Sequence, residues 1–428
     1  MADGVARDAK LYFVGKAGAA LGVVAAIPLT TRGLGTNDFA EYALWSAAAL
    51  WSATLCVGWL QTGIGRLHYE RVGTPRFAGY FASVRAAIGI AAGAASLVVI
   101  ALATAFSGLG MAEILGFGAF AAAGAWFMGS QSLAQADLEA RRVAKSDLVR
   151  GATLPLLLGL ALVLCDLGVA GAAFAQAGAL AAAVFFARRK TGPPTSPPVW
   201  SELRPLLRYG LAIGLWSIVS LASAQLGRAA LELAGDPSAL GIYAAVQEVL
   251  VKGGTLLLMP VVSAIHAHAM VWWAEGDLAS IRHGLRRAFM IQAAIGAVIV
   301  LGSLLGAPIL ARVLFGDDVP PLSTSMPLTA LMALGIVWAN MGLLAHKGLE
   351  LAHATYTMVA LALGSLLVNA LLCALLVPIC GAIGAALAFA CSQAVYGLAA
   401  LFCSRRRVPI RAASRSGRPE SRRYECSR

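Results

Sequence analysis

The chain has 428 residues, 59% hydrophobic and only 13% charged, with a formal net charge of +12. An ordinary soluble domain carries about a quarter charged residues, so this composition cannot cover a water-facing surface, and the mean hydropathy of +0.77 agrees. Disordered, collagen-like and small disulfide-stapled chains are excluded by the same figures; what remains is an all-α polytopic membrane protein.

The apolar runs are about 20 residues long and unbroken, whereas barrel strands are about 10 residues and alternate. In chain order they lie near 13–31, 40–64, 79–104, 113–135, 151–167 and 168–187, then near 209–233, 239–264, 288–314, 325–345, 354–377 and 380–403. That predicts twelve transmembrane helices. The first run follows Arg7 and Lys10 but is too long for a signal peptide and lacks a clear cleavage site, so it is read as the first span.

Charge tests the count. With the N-terminus inside, thirty of the 33 Lys and Arg residues fall on the inner side. Lys252, although within a span, is assigned to that side. Only Arg32, Arg228 and Arg312 remain outside, among the acids Asp38, Glu41, Glu113, Asp166, Glu232, Asp236, Asp317 and Asp318. A wrong count would scramble this alternation, so both termini are expected in the cytoplasm. The positive charge is therefore topological and does not imply a nucleic-acid partner.

The Pro-rich basic stretch RRKTGPPTSPPVWSELRP divides the chain. Residues 1–187 form an N-terminal six-helix lobe, 188–208 a cytoplasmic linker, 209–403 a C-terminal six-helix lobe and 404–428 a basic tail, expected to be disordered on the anionic inner leaflet. The segment 266–287, with Trp272 and Trp273 on one part and basic residues on another, is expected to lie in the headgroup layer.

The seven cysteines form no CxxC pair, and six lie in apolar runs as small hydrophobes. The six histidines fall at inner surfaces or helix ends, where solvated roles are expected; only His266 and His268 have a spacing that suggests a metal pair. No Walker lysine, G-x-S-x-G, HExxH or DxD-like motif occurs, so the chain is read as a non-enzyme without cofactor or metal.

The halves echo each other. TTRGLGTNDFAEYALWSAAAL follows the first span and GRAALELAGDPSALGIYAAVQEVL the seventh; each has an arginine, a glycine turn and a tyrosine entering the next helix, Arg32 to Tyr42 and Arg228 to Tyr243. Both echoes leave an odd-numbered span, so the repeat is parallel, with a cavity expected between the lobes.

RGLGTNDFAEY resembles the stretch after the first helix of polysaccharide and O-antigen flippases, in the multidrug/oligosaccharidyl-lipid/polysaccharide (MOP) exporter superfamily. LRPLLRYGLAIGLWSIVSLASAQLGRAALELAGDPSALGIYAAV is similar to that family's seventh and eighth helices, and ARVLFGDD to the end of its ninth. The resemblance covers about residues 8–400. It departs at Glu41, where glycine is common, and at Gly227, where an acid usually precedes the arginine.

Ionisable groups inside spans cost about 2.5–3.5 kcal/mol at the bilayer centre. Glu248 and Lys252 lie at i and i+4 on the eighth helix, and Gln225, Arg228 and Glu232 lie on neighbouring turns of the seventh. These are either self-neutralising pairs, Glu248 with Lys252 and Arg228 with Glu232, or substrate contacts. The resemblance places them in the central cavity; Arg32 and Gln247 join them as candidates. Arg66 and Arg85 are candidates for a cationic inner gate that gathers a pyrophosphate headgroup, or for lipid snorkelling.

The resemblance implies a flippase of the inner membrane. It would move an undecaprenyl-pyrophosphate-linked oligosaccharide between leaflets by alternating access, for O-antigen, lipopolysaccharide or exopolysaccharide synthesis. Its partners would be membrane lipids, a polysaccharide polymerase and glycosyltransferases. The alternatives are an ion-coupled drug exporter or a peptidoglycan lipid flippase of the same superfamily. A membrane glycosyl polymerase or transferase is more distant, since no outer loop exceeds about a dozen residues.

Overall fold

The computed structural model describes residues 2–68, 71, 74–137, 139–187, 196–316, 321–352 and 354–415. The chain is a bundle of helices: α1 (Ala2–Leu67), α2 (Phe77–Phe106), α3 (Met111–Ala136), α4 (Ala140–Leu158), α5 (Gly168–Phe186), α6 (Leu203–Leu233), α7 (Pro237–Glu275), α8 (Leu278–Phe315), α9 (Leu322–Ala345), α10 (Lys347–Leu351) and α11 (Thr355–Arg415). In hydrocarbon every backbone amide needs a partner within the chain, which is why such apolar runs become helices.

Nine helices among the described residues are long and apolar enough to cross a membrane. Two are too long for a single crossing. The apolar parts of α1 and α11 hold 55 and 52 residues, about 80 Å at ~1.5 Å per residue, against a ~30 Å hydrocarbon core. Each breaks at a glycine: Gly35 (φ 73°, ψ 173°) in α1 and Gly381 (φ 52°, ψ −130°) in α11. A side chain rarely tolerates either geometry. Counting these two helices twice, and adding α6, whose Trp200–Arg208 and Ile213–Leu233 parts meet at 61°, gives the expected twelve spans. An even number returns the chain to the face from which it started. That face carries Arg71, Arg76, Arg141, Arg204, Arg282, Arg286, Arg287 and Arg405, and is called the basic face below.

Helices α1–α5 form the first lobe and α6–α11 the second. Within the first, Gly15, Gly18 and Gly22 of α1 pack on Ala144, Leu148 and Gly151 of α4. The numbers rise together, so these helices run parallel, and the missing side chains let their backbones touch, as small residues do in membranes. Gly335 on Phe389 and Gly342 on Tyr396 join α9 to the second arm of α11 in the same parallel sense. The repeat is visible in the backbone. Gly35 and Gly235 have φ of 73° and 70°, and Gly168 and Gly381 have 56° and 52°. Each of the latter is followed three residues later by another tightly packed glycine, Gly171 and Gly384.

The lobes meet along α1, α6, α7 and α8. Towards the far face, Thr31 Oγ1 donates to Leu314 O (2.5 Å) and Arg32 Nη2 to Arg312 O (3.0 Å). Towards the basic face, a side chain on Gly210 would collide with Trp59 O, and Gly63 lies on Leu206. The start of α6 is strapped to the first lobe there. Val199 N donates to Ser83 Oγ (2.6 Å), and the buried Glu202 pairs with Arg71 at 3.1 Å.

Three boundary expectations change. The fifth span begins at Ala140 rather than 151, because ARRVAKSDLVR continues the helix towards the basic face; a π-helical stretch, Gly159–Leu164, then leads to the Asp166–Gly168 break. Residues 266–287 do not form a separate surface helix. They are the end of α7 and the start of α8, reversed by left-handed Gly276 (φ 77°) and capped by Asp277, whose side chain accepts from Ser280 N (2.9 Å). The tail expected to be disordered from 404 is helical through Arg415; residues 416–428 lie outside the described residues.

Candidate functional site

The site grows from the seventh and eighth spans. Arg228 sits near the far end of α6, 2% exposed. Each of its three nitrogens donates a hydrogen bond: Nε to Gln247 Oε1 (2.7 Å), Nη1 to Ala43 O (3.0 Å) and Nη2 to Glu248 Oε1 (2.7 Å). Gln247 is oriented in turn by donating from Nε2 to Ala224 O (2.7 Å). Ala43 belongs to α1, so this guanidinium joins the two lobes.

The expected pairings are therefore corrected. Arg228 pairs with Glu248 on the neighbouring helix and leaves Glu232 exposed at the far face, because the guanidinium turns inward between α6, α7 and α1. Lys252 has no carboxylate within ion-pair distance among the described residues, since Arg228 has taken Glu248, yet it remains within Coulombic reach of that carboxylate. The side chain of Glu248 is 29% exposed.

A third cation comes from the opposite lobe. Arg150 of α4 lies within Coulombic reach of Glu248, Lys252 and Tyr42. Its Nε is buried without a hydrogen-bond partner, and its guanidinium stands 5.5 Å from the centre of the Phe127 ring. The nearby carboxylate of Asp147 is already held by Lys16 (2.9 Å) and Gln131 Nε2 (2.8 Å). Three cations, Arg150, Arg228 and Lys252, thus lie within Coulombic reach of the one Glu248 carboxylate. Arg150 and Lys252 repel each other, and the Glu248 carboxylate that attracts both is already bonded to Arg228. In a low-dielectric interior such a repulsion is eased by an anion.

The sequence reading placed Arg150 in an inner loop by starting the span at 151. The overlooked signal was the i, i+3 spacing of Asp147 and Arg150, which sets both on one helical face. Other candidates are not gathered here. Arg32 is exposed at the far face on Arg312 O, and Arg85 is exposed with no described partner. The side chain of Arg66 lies outside the described residues. Gln225 is half-buried on α6, its Oε1 without a hydrogen bond. Gly227 has a local reason: any side chain there would collide with the Tyr243 hydroxyl. The histidines expected to be solvated include two buried ones, His68 on Asp137 (3.0 Å) and His346 on Tyr396 Oη (2.8 Å). His268 stacks on Trp272, and no group of three metal-ligating side chains occurs among the described residues.

Comparison with solved structures then fixes the architecture. An inward-facing multidrug resistance MATE family transporter of the MOP superfamily superimposes with a TM-score of 0.73 at 14% identity, over 93% of this chain and 96% of that one. The fold is that of the MOP superfamily transporters. An outward-facing form of a MATE transporter gives 0.67 at 15% identity, over 95% and 96%. A MOP transporter from Pyrococcus furiosus, whose reversed pocket polarity was taken to suggest a different function, gives 0.66 at 15% identity over the same shares. No protein-family profile and no curated protein matches the chain.

Within this MOP fold the charge set belongs to one half of the repeat. With Tyr42 aligned to Tyr243, the first-lobe counterparts of Gln247, Glu248 and Lys252 are Ser46, Ala47 and Trp51. The cluster therefore comes from the second repeat, with Arg150 added from the first lobe.

Proposed function

We propose that the chain is a flippase that moves an undecaprenyl-pyrophosphate-linked oligosaccharide from the inner to the outer leaflet by alternating access, in cell-surface polysaccharide synthesis. One observation supports this reading: Arg150 of the first lobe and Lys252 of the second repel each other, and the Glu248 carboxylate within reach of both is already bonded to Arg228. A pyrophosphate supplies the missing negative charge. A cationic drug would be repelled by the same set.

The physical task suits the fold. A sugar headgroup cannot cross hydrocarbon unaided, while its lipid tail can remain in the bilayer. A cavity between two lobes, open sideways to lipid, serves both. At its outer edge the far-face seam is held by Thr31 to Leu314 and Arg32 to Arg312, hydrogen bonds that contribute about 0.5–1.5 kcal/mol each. Differential binding of a headgroup can open it. Beyond the seam, Glu41 stands within Coulombic reach of Asp38, Glu113 and Glu232, an acidic exit that an anion does not re-enter readily. In this reading the protein resides in the inner membrane with both termini cytoplasmic, and receives substrate from glycosyltransferases and delivers it to a polymerase.

A second reading, multidrug export, is supported by the likeness in fold to multidrug resistance MATE transporters and by the partly exposed Glu248 carboxylate. Gene deletion separates the two. Loss of surface polysaccharide, with lipid-linked glycan retained on the cytoplasmic leaflet, is the expected result. Unchanged polysaccharide together with raised drug sensitivity would replace the flippase reading by the exporter.

A further inference from the structure

A cavity of about 240 Å³ lies inside the second lobe, between α6, α7, α9 and α11. It adjoins the charge cluster. Ala224 on its wall accepts the hydrogen bond that orients Gln247, and Thr255 on its wall stands one helical turn beyond Lys252. No Asp, Glu, Lys or Arg lines it. Its polar side chains, Ser220, Ser223, Thr255, Asn340, Ser365 and Gln393, are neutral and share the wall with Trp216, Tyr396 and apolar side chains.

We propose that this cavity binds one uncharged sugar ring, the ring next to the phosphate held by Arg150 and Lys252; this rests on the flippase reading. Three observations carry the proposal. The first is chemical. A mostly apolar wall with an aromatic face and a few neutral hydroxyls and amides matches a sugar ring, which presents C–H groups on its faces and hydroxyls at its rim. A cationic ligand would find no counter-charge there.

The second is size. Pockets for drug-sized ligands measure about 300–1,000 Å³; 240 Å³ falls below that range and accommodates a single ring. The third is preorganisation. Trp216 Nε1 donates to Tyr396 Oη (2.9 Å), which also meets His346 Nδ1 (2.8 Å), and the Trp216 and His346 rings stand edge to face at 5.1 Å. The aromatic wall is fixed before any ligand arrives, which lowers the ordering cost of binding. Available acceptors and donors remain. Asn340 spends only its amide N–H, on Ile336 O (2.9 Å), and Ser220 and Thr255 have no described partner.

The test uses the full chain in lipid nanodiscs, titrated with N-acetylglucosamine and glucose by saturation-transfer NMR, with inorganic pyrophosphate by calorimetry, and with ethidium by fluorescence anisotropy. Wild type is expected to bind at least one of the sugars saturably. Asn340→Leu and Gln393→Leu, each checked for monodispersity and thermal stability, are expected to weaken that binding at least tenfold and to leave pyrophosphate affinity unchanged. Wild type that binds pyrophosphate but neither sugar overturns the cavity proposal and leaves the flippase reading standing. Sugar binding without pyrophosphate binding retains the cavity and removes the anionic site. Sugar affinity unchanged in both variants, or ethidium displaced by neither sugar but lost in both variants, also overturns the proposal.

Discussion

Arg228 and Glu248 lie on neighbouring helices with Nη2 and Oε1 2.7 Å apart, and the same guanidinium reaches the carbonyl of Ala43 in the opposite lobe. This arginine organises the site and leaves substrate contact to the cations around it. Its charge is paired and each of its nitrogens is bonded, whereas Arg150 and Lys252 have no carboxylate at ion-pair distance among the described residues.

Breaking that pair from one side strands a charge. Arg228→Gln is expected to cost about 3–5 kcal/mol, the range for removing one partner of a buried ion pair, and to lower the melting temperature in detergent. Arg228→Gln with Glu248→Gln is expected to regain most of that stability. The double variant also shows the division of labour: if Arg228 only positions other groups, pyrophosphate affinity recovers with stability. Affinity that stays low in a stable double variant would make Arg228 a direct ligand.

Arg150→Gln and Lys252→Gln each remove one charge-assisted contact, worth about 1.5–3 kcal/mol, or roughly ten- to a hundredfold in pyrophosphate affinity. Neither residue holds a carboxylate at contact distance, so thermal stability is expected to stay constant or rise as the mutual repulsion disappears. Unchanged affinity in both variants would remove the anion site.

Gly381 sits at φ 52°, ψ −130° where α11 reverses. Gly381→Ala is expected to destabilise by about 1–3 kcal/mol, the cost of a side chain in such a region. Gly89 is the control: it lies inside α2, with nothing within 4 Å of an added Cβ. Gly89→Ala is expected to be neutral or slightly stabilising, read as a melting-temperature shift beside that of Gly381→Ala.

With twelve spans the first residues of α1 and the last of α11 share the basic face, and the excess of Lys and Arg there is expected to hold it in the cytoplasm. A phosphatase reporter fused after Arg428 is expected to be inactive, and a cytoplasmic fluorescent reporter at the same position active. The opposite pattern would invert the transport direction proposed above.

Composition, run length and charge alternation sufficed for twelve spans in two lobes, because a hydrocarbon solvent demands about 20 apolar residues per crossing and lysine or arginine between crossings on one side. The repeat was legible for a similar reason: Gly35 and Gly235 mark turns that few other residues can make. The pairing of charges was decided by tertiary structure. Spacing along one helix suggested Arg228 with Glu232 and Glu248 with Lys252, since i and i+4 residues share a face. Packing of α6 against α7 and α1 instead turned the guanidinium to Glu248, where three acceptors satisfy it at once. Arg150 joined the same set from the other lobe, a contact between residues far apart in the chain. A helical face is written in the sequence at short range; which faces meet across a lobe interface is set only when the whole bundle packs.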